Sequence, residues 1–164
     1  MSNSVGRARV GALPRLALGT DGIGADMFEE SHAAFFRARE DSLDFGPDWM
    51  LARLAESARL AGRVFEEPLL GTLEPGAPAD LVVLDYATPA PLDAASFGGH
   101  WVFGLSSRHV RDVMVAGEWV VRDRRPTRVD PDELAARAST QAARLWRRLD
   151  DIPAHVFEPE GAKV

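Results

Sequence analysis

The side chains able to do chemistry in this chain are few, and most of them are carboxylates. Asp21 closes the run Arg15-Leu16-Ala17-Leu18-Gly19-Thr20-Asp21-Gly22. A short apolar run ending in Gly-Thr-Asp-Gly reads as a buried strand that delivers an aspartate at its C-terminal end. Taken alone, an aspartate at such a place is more often a turn residue bonding its own backbone. Asp26, Glu29 and Glu30 form a second acidic group, but an acidic first turn is ordinary helix chemistry. The histidines are His32, His100, His109 and His155, with none before Asp21 and no His-x-His pair. His32 falls on a helix face rich in phenylalanine, where packing is the simpler role. The run Arg122-Asp123-Arg124-Arg125 fits a solvated turn better than a phosphate site. Trp101, Trp119 and Trp146 fit core or interface packing. Gly19, Gly22 and Gly24 have neither the spacing nor the following acid of a dinucleotide fingerprint. Cysteine is absent, which excludes disulfides and thiolate metal sites.

The elements around these residues follow from local pattern. Asp26 is a good N-cap with Glu29 at the third position of a capping box, so a helix is expected to about Glu40. Its Phe28, His32, Phe35 and Phe36 share one side. Pro47 starts a second helix running to about Phe65, with Leu51, Leu54, Ala58, Ala61 and Phe65 as its apolar stripe. Two glycines and two prolines between positions 71 and 78 mark a change of architecture. Beyond them the pattern is β. Residues 80–85 read as a buried strand, and residues 110–115 and 118–122 as a hairpin about Ala116-Gly117. Residues 88–99 read as a loop and His100-Trp101-Val102-Phe103 as a short strand. Asp130-Pro131-Asp132-Glu133 is a complete helix start, followed by Leu134, Ala138, Gln141, Leu145 and Leu149 at helical spacing. One strand and two helices cannot close a sheet, so the N-terminal third reads as part of something larger.

Composition bounds the function. Of 164 residues, 46% are hydrophobic and 27% charged, ordinary values for a globular protein. The net charge of −6 without a basic stripe argues against nucleic acid. No apolar run approaches the roughly 18–20 residues of a membrane helix, and no signal region is evident. A cytoplasmic protein is the expectation.

Four segments in order resemble the amidohydrolase superfamily. Gly71-Thr72-Leu73-Glu74-Pro75-Gly76-Ala77-Pro78-Ala79-Asp80-Leu81-Val82-Val83-Leu84-Asp85 is similar to the place where such a chain leaves its barrel and enters a small β-sandwich. Upstream, Leu54-Ala55 through Ala58 to Gly62 resembles the helix before that segment. Downstream, Val113-Met114-Val115-Ala116-Gly117-Glu118-Trp119-Val120-Val121-Arg122-Asp123 resembles the hairpin that completes the sandwich. Leu18-Gly19-Thr20-Asp21-Gly22 is similar to the end of the eighth barrel strand. Within the superfamily, Gly22-Ile23-Gly24-Ala25-Asp26-Met27-Phe28 is most similar to the SsnA-type aminohydrolases of the cytosine/guanine deaminase and chlorohydrolase-like branch.

The resemblance implies the C-terminal end of a (β/α)₈ TIM-type barrel in residues 1–70 and part of a composite β-sandwich in 71–125. A C-terminal helix in 126–152 and a flexible tail in 153–164 complete the expected fold. It implies hydrolysis of a non-peptide C–N bond of a small molecule, plausibly deamination of an amino-substituted heterocycle. A divalent metal, zinc or else iron, would be held by histidines of earlier strands. Asp21 would ligate or face that metal and move the proton of a water activated there. Those histidines have no counterpart here, so the isolated chain is expected to be an inactive portion from a truncated gene, a mis-called start or a split subunit. The alternative expectation is a non-catalytic β-sandwich module, or one half of a split enzyme that binds a complementary chain. The expected partners are a small-molecule substrate and a second copy or complementary chain, with neither nucleic acid nor membrane.

Overall fold

A computed structural model describes residues 16–22 and 24–152; Arg15, His155 and the tail expected at 153–164 lie outside the described residues. The chain divides into two compact units, Met1–Arg124 and Arg125–Val164.

In the first unit, α1 (Met27–Asp41) begins where the Asp26 carboxylate accepts from the amides of Phe28 and Glu29, occupying two donors that no helical carbonyl can reach. Helix α2 (Pro47–Val64) starts on a proline, whose missing N–H costs nothing at that position. Helix α3 (Phe97–Phe103) replaces the expected strand over residues 100–103 and ends the expected loop early. Its entry is built locally. Asp93 and Ser96 exchange backbone-to-side-chain bonds at 2.8 and 2.9 Å, and the Phe97 amide donates to the Asp93 carbonyl. Once that turn is closed, His100 and Trp101 continue it.

These three helices pack around Phe35, Met50 and Val102, with Leu18, Trp49, Leu54 and Trp101 partly buried against them. The buried line on α1 is Phe28, Ser31, Phe35 and Ala38, displaced from the expected face. Phe36 is instead 54% exposed. The small Ser31 makes room for α3, since its Oγ accepts from Trp101 Nε1 at 2.9 Å while Phe28 stacks on the same indole at 4.6 Å. On α2 the buried residues are Met50 and Gly62, and Phe65 is exposed.

The strands of this unit are β1 (Leu81–Leu84), β2 (Val110–Val115) and β3 (Glu118–Arg122), antiparallel in the order β1-β2-β3. Leu81 pairs with Met114 and Met114 with Trp119. The hairpin turn has φ of 49° at Ala116 and 83° at Gly117, both left-handed as a two-residue type I′ connection requires. Gly71 enables the passage from α2 to β1. Its φ is 79°, and a Cβ there would meet the Ala58 Cβ at 2.6 Å, so a side chain is excluded twice over.

One expected strand does not form. Residues 16–20 carry no ladder among the described residues, because a strand exists only beside a neighbour and no described strand lies there.

The second unit holds β4 (Arg125–Pro126) and α4 (Pro131–Asp150). Asp130 caps α4 through the amides of Asp132 and Glu133, matching the start expected from sequence. Within this unit α4 is exposed on every face, Leu134, Leu145, Trp146 and Leu149 included.

Candidate functional site

The segment leading to Asp21 is fixed from one side. The Leu18 amide donates to Ser57 Oγ at 2.8 Å, and the same hydroxyl lies 3.1 Å from the Leu18 carbonyl. The Leu18 side chain packs on the Phe35–Met50–Val102 cluster. Three residues later Asp21 sits exposed in a turn at φ 50°. Aspartate is among the few side chains that tolerate that left-handed conformation. The carboxylate is therefore presented rather than buried.

Asp26, the next carboxylate, is committed. The Ser107 side chain, and after it the Glu29 and Phe28 amides, hold its pKa below the ordinary value despite desolvation. Asp26 thus caps α1 through two backbone amides. Glu29 is exposed and Glu30 half-buried along the first turn of α1.

The histidines of the described residues are engaged structurally. His32 Nε2 lies 3.1 Å from the Trp101 carbonyl, and a carbonyl only accepts, so that nitrogen carries a proton. By the same reasoning His100 Nε2 donates to the Pro91 carbonyl, while its Nδ1 faces the Tyr86 hydroxyl at 3.0 Å. His109 Nδ1 accepts from the Ser106 amide at 3.1 Å, and its ring meets Tyr86 edge-on. A mostly apolar cavity of about 470 Å³, lined by Pro47, Tyr86, Pro89, His100 and Phe103 among others, opens beside this group. Both His100 nitrogens are already used, which leaves it no free base for chemistry.

The arginine run is a turn, with Asp123 and Arg124 at positive φ. Arg124 reaches the Asp85 carboxylate at 2.9 Å, and the Arg122 guanidinium stacks 4.3 Å over the Trp119 ring. Trp101 belongs to the core and Trp146 is 64% exposed in the second unit.

A carboxylate that sequence reasoning passed over is Asp112, only 4% exposed. It accepts from the Asp123 amide and from Arg111 Nε, each at 2.9 Å. Those contacts, the amide first, hold its pKa below the ordinary aspartate value. The available signal was its place inside Val110-Arg111-Asp112-Val113-Met114-Val115, a charge within a strand. Its partners make it a brace between the hairpin ends.

Asp21 is not joined by other ligands. Among the described residues no three of His, Cys, Asp and Glu are grouped so as to hold a cation. A catalytic metal needs about three protein ligands, so the described residues do not fit one by themselves.

With this geometry stand the likenesses to known proteins. The model of the amidohydrolase family matches residues 8–120. A 5'-deoxyadenosine deaminase from Methanopyrus kandleri is 31% identical over 134 residues, covering 79% of this chain and 31% of that protein. A formimidoylglutamate deiminase from Pseudomonas aeruginosa is 42% identical over 96 residues, 56% of this chain and 20% of its own length. This chain therefore spans a third or less of these relatives. Among solved structures, an adenosine deaminase from Xanthomonas campestris with bound zinc superposes with a TM-score of 0.61. It is 22% identical and covers 74% of this chain and 28% of its own, a likeness of fold alone. The family match takes in the Asp21 turn, α1, α2, the Gly71 passage and most of the β2–β3 hairpin, and this chain belongs to the amidohydrolase family.

Proposed function

We propose that this chain supplies the C-terminal part of a metal-dependent amidohydrolase acting on a non-peptide C–N bond of a small molecule, with Asp21 as its metal-facing carboxylate. Residues 1–70 then contribute the end of the barrel and residues 71–125 part of the β-sandwich. The observation that carries the reading is the exposed Asp21 in its left-handed turn, three residues after the anchored Leu18. A presented carboxylate on a fixed backbone is what a metal-facing role requires. The names of the relatives, deaminases and a deiminase, support an amino-substituted substrate, and an adenosine-type nucleoside is the first to assay. Zinc is the metal of choice and iron the second. A cytoplasmic location goes with this reading.

The isolated chain is expected to be inactive, since one carboxylate cannot hold a catalytic metal. The test is ammonia release from adenosine and 5'-deoxyadenosine by the purified chain loaded with zinc or iron. No release is expected, and robust turnover would overturn the placement of the missing ligands on other segments of the fold.

A second reading, half of a split enzyme that binds a complementary chain, is favoured by one observation. The first unit leaves Leu43, Phe65, Leu73 and Phe103 between 68% and 85% exposed, an unusual share of large apolar side chains for a self-sufficient surface. Binding of a hydrophobic dye by the native chain is expected on this reading, and a monomer silent to the dye speaks against it.

A further inference from the structure

We propose that Ser57 is the positioning residue for Asp21, locking the Leu18 backbone to α2 and thereby setting where the carboxylate projects. This rests on the reading of Asp21 given above.

A serine inside a helix ordinarily turns its hydroxyl back to the carbonyl four residues earlier, and Ser57 Oγ does lie 3.2 Å from the Arg53 carbonyl. That bond alone gives no reason to prefer serine over alanine, the better helix former. The second partner supplies the reason. A hydroxyl has one proton and two lone pairs, and one lone pair receives the Leu18 N–H at 2.8 Å. The proton is shared between the Leu18 and Arg53 carbonyls, at 3.1 and 3.2 Å. Leu18 thus has both backbone polar groups satisfied by one oxygen 39 positions away. In a sheet those two bonds would come from a neighbouring strand.

The lock has an apolar half as well, because the Leu18 side chain packs on the Phe35–Met50–Val102 cluster. Position along the chain makes it the decisive anchor. Only Gly19 and Thr20 separate Leu18 from Asp21. On the other side, among the described residues, the next hydrogen-bonded side chain is Asp26, held by the α1 amides five residues on. The nearer anchor governs Gly19 to Asp21, and that anchor is Ser57.

Amide exchange on the full ¹⁵N-labelled chain tests this with Ser57→Ala and Ser57→Thr. In Ser57→Ala, Leu18 exchange should accelerate about fivefold or more, equivalent to about 1 kcal/mol of hydrogen-bond free energy. The resonances of Gly19, Thr20 and Asp21 should shift, while Val113 and Val121 in the hairpin hold theirs. Ser57→Thr keeps the hydroxyl and should restore Leu18 protection. Unchanged Leu18 exchange in Ser57→Ala, or no restoration by threonine, overturns the proposal. If Ser57→Ala also loses the hairpin signals, Ser57→Thr decides alone, with native Leu18 protection in favour and its loss against. The readout contains no metal. A lock that holds while Asp21→Asn leaves metal binding in a complete enzyme untouched would reject the metal-facing role and not the lock.

Discussion

The Asp80 carboxylate accepts the backbone N–H of Ala116 at 2.7 Å, a contact spanning 36 positions. Beside it the Ala79 carbonyl accepts from the Gly117 amide at 3.1 Å. The two residues that precede β1 therefore close the turn of the β2–β3 hairpin. This gives the Ala-Asp-Leu-Val-Val pattern a physical meaning. The aspartate satisfies a turn that the sheet leaves open, and the apolar residues after it enter the ladder.

Asp80→Ala should consequently loosen the hairpin turn and lower stability by about 0.5–1.5 kcal/mol, the net range for one hydrogen bond, since this one is exposed to solvent. Asp80→Asn keeps an acceptor oxygen and should lose less than half of that. Chemical denaturation of the two variants side by side measures the difference, and an Asp80→Ala chain as stable as the parent would deny the carboxylate its role.

Ala116 offers a gain instead of a loss. Its φ of 49° strains a side chain without local hydrogen-bonding capacity, whereas Asn-Gly is a preferred type I′ pair. Ala116→Asn is expected to raise stability by about 0.5–1 kcal/mol. A thermal melt that moves downward would contradict the turn geometry.

Asp112 predicts a pH dependence. Its folded pKa is depressed below the ordinary aspartate value of 3.8 by the Asp123 amide and by Arg111. A depressed carboxylate contributes its full stabilisation above the unfolded value and loses it as pH falls through the folded one. The loss is therefore confined to acid, below about pH 4. Asp112→Asn should lower the melting temperature at neutral pH and flatten its fall in acid. A variant whose acid melting profile parallels that of the parent would remove Asp112 as the cause.

What could be read in advance was local. The caps at Asp26 and Asp130 and the Ala116-Gly117 turn are each specified by three or four consecutive residues, and each lies where the pattern puts it. The failures share a longer reach. His100-Trp101-Val102-Phe103 looks extended because its residues are aromatic and β-branched, yet Asp93 and Ser96 upstream nucleate the turn that carries it into α3. Phe36 shares a side with Phe28 by spacing, but Trp101 docks at Ser31, so the buried line runs through Ser31 and Ala38 instead. At the candidate site, Asp21 is proposed from the end of an apolar run and a family likeness, and its exposed turn is what the fold adds. Its anchor was not legible, because the partner of Leu18 is a lone hydroxyl in a helix 39 positions away.

The most direct measurement is the metal content of a chimera in which this chain replaces the matching 31% of the Methanopyrus kandleri deaminase. With Asp21 intact, the chimera should retain about one zinc per chain and release ammonia from 5'-deoxyadenosine. With Asp21→Asn, turnover should fall about 100-fold or more, as expected when a metal-facing acid–base group is lost. An Asp21→Asn chimera that keeps both its zinc and its rate would contradict the account.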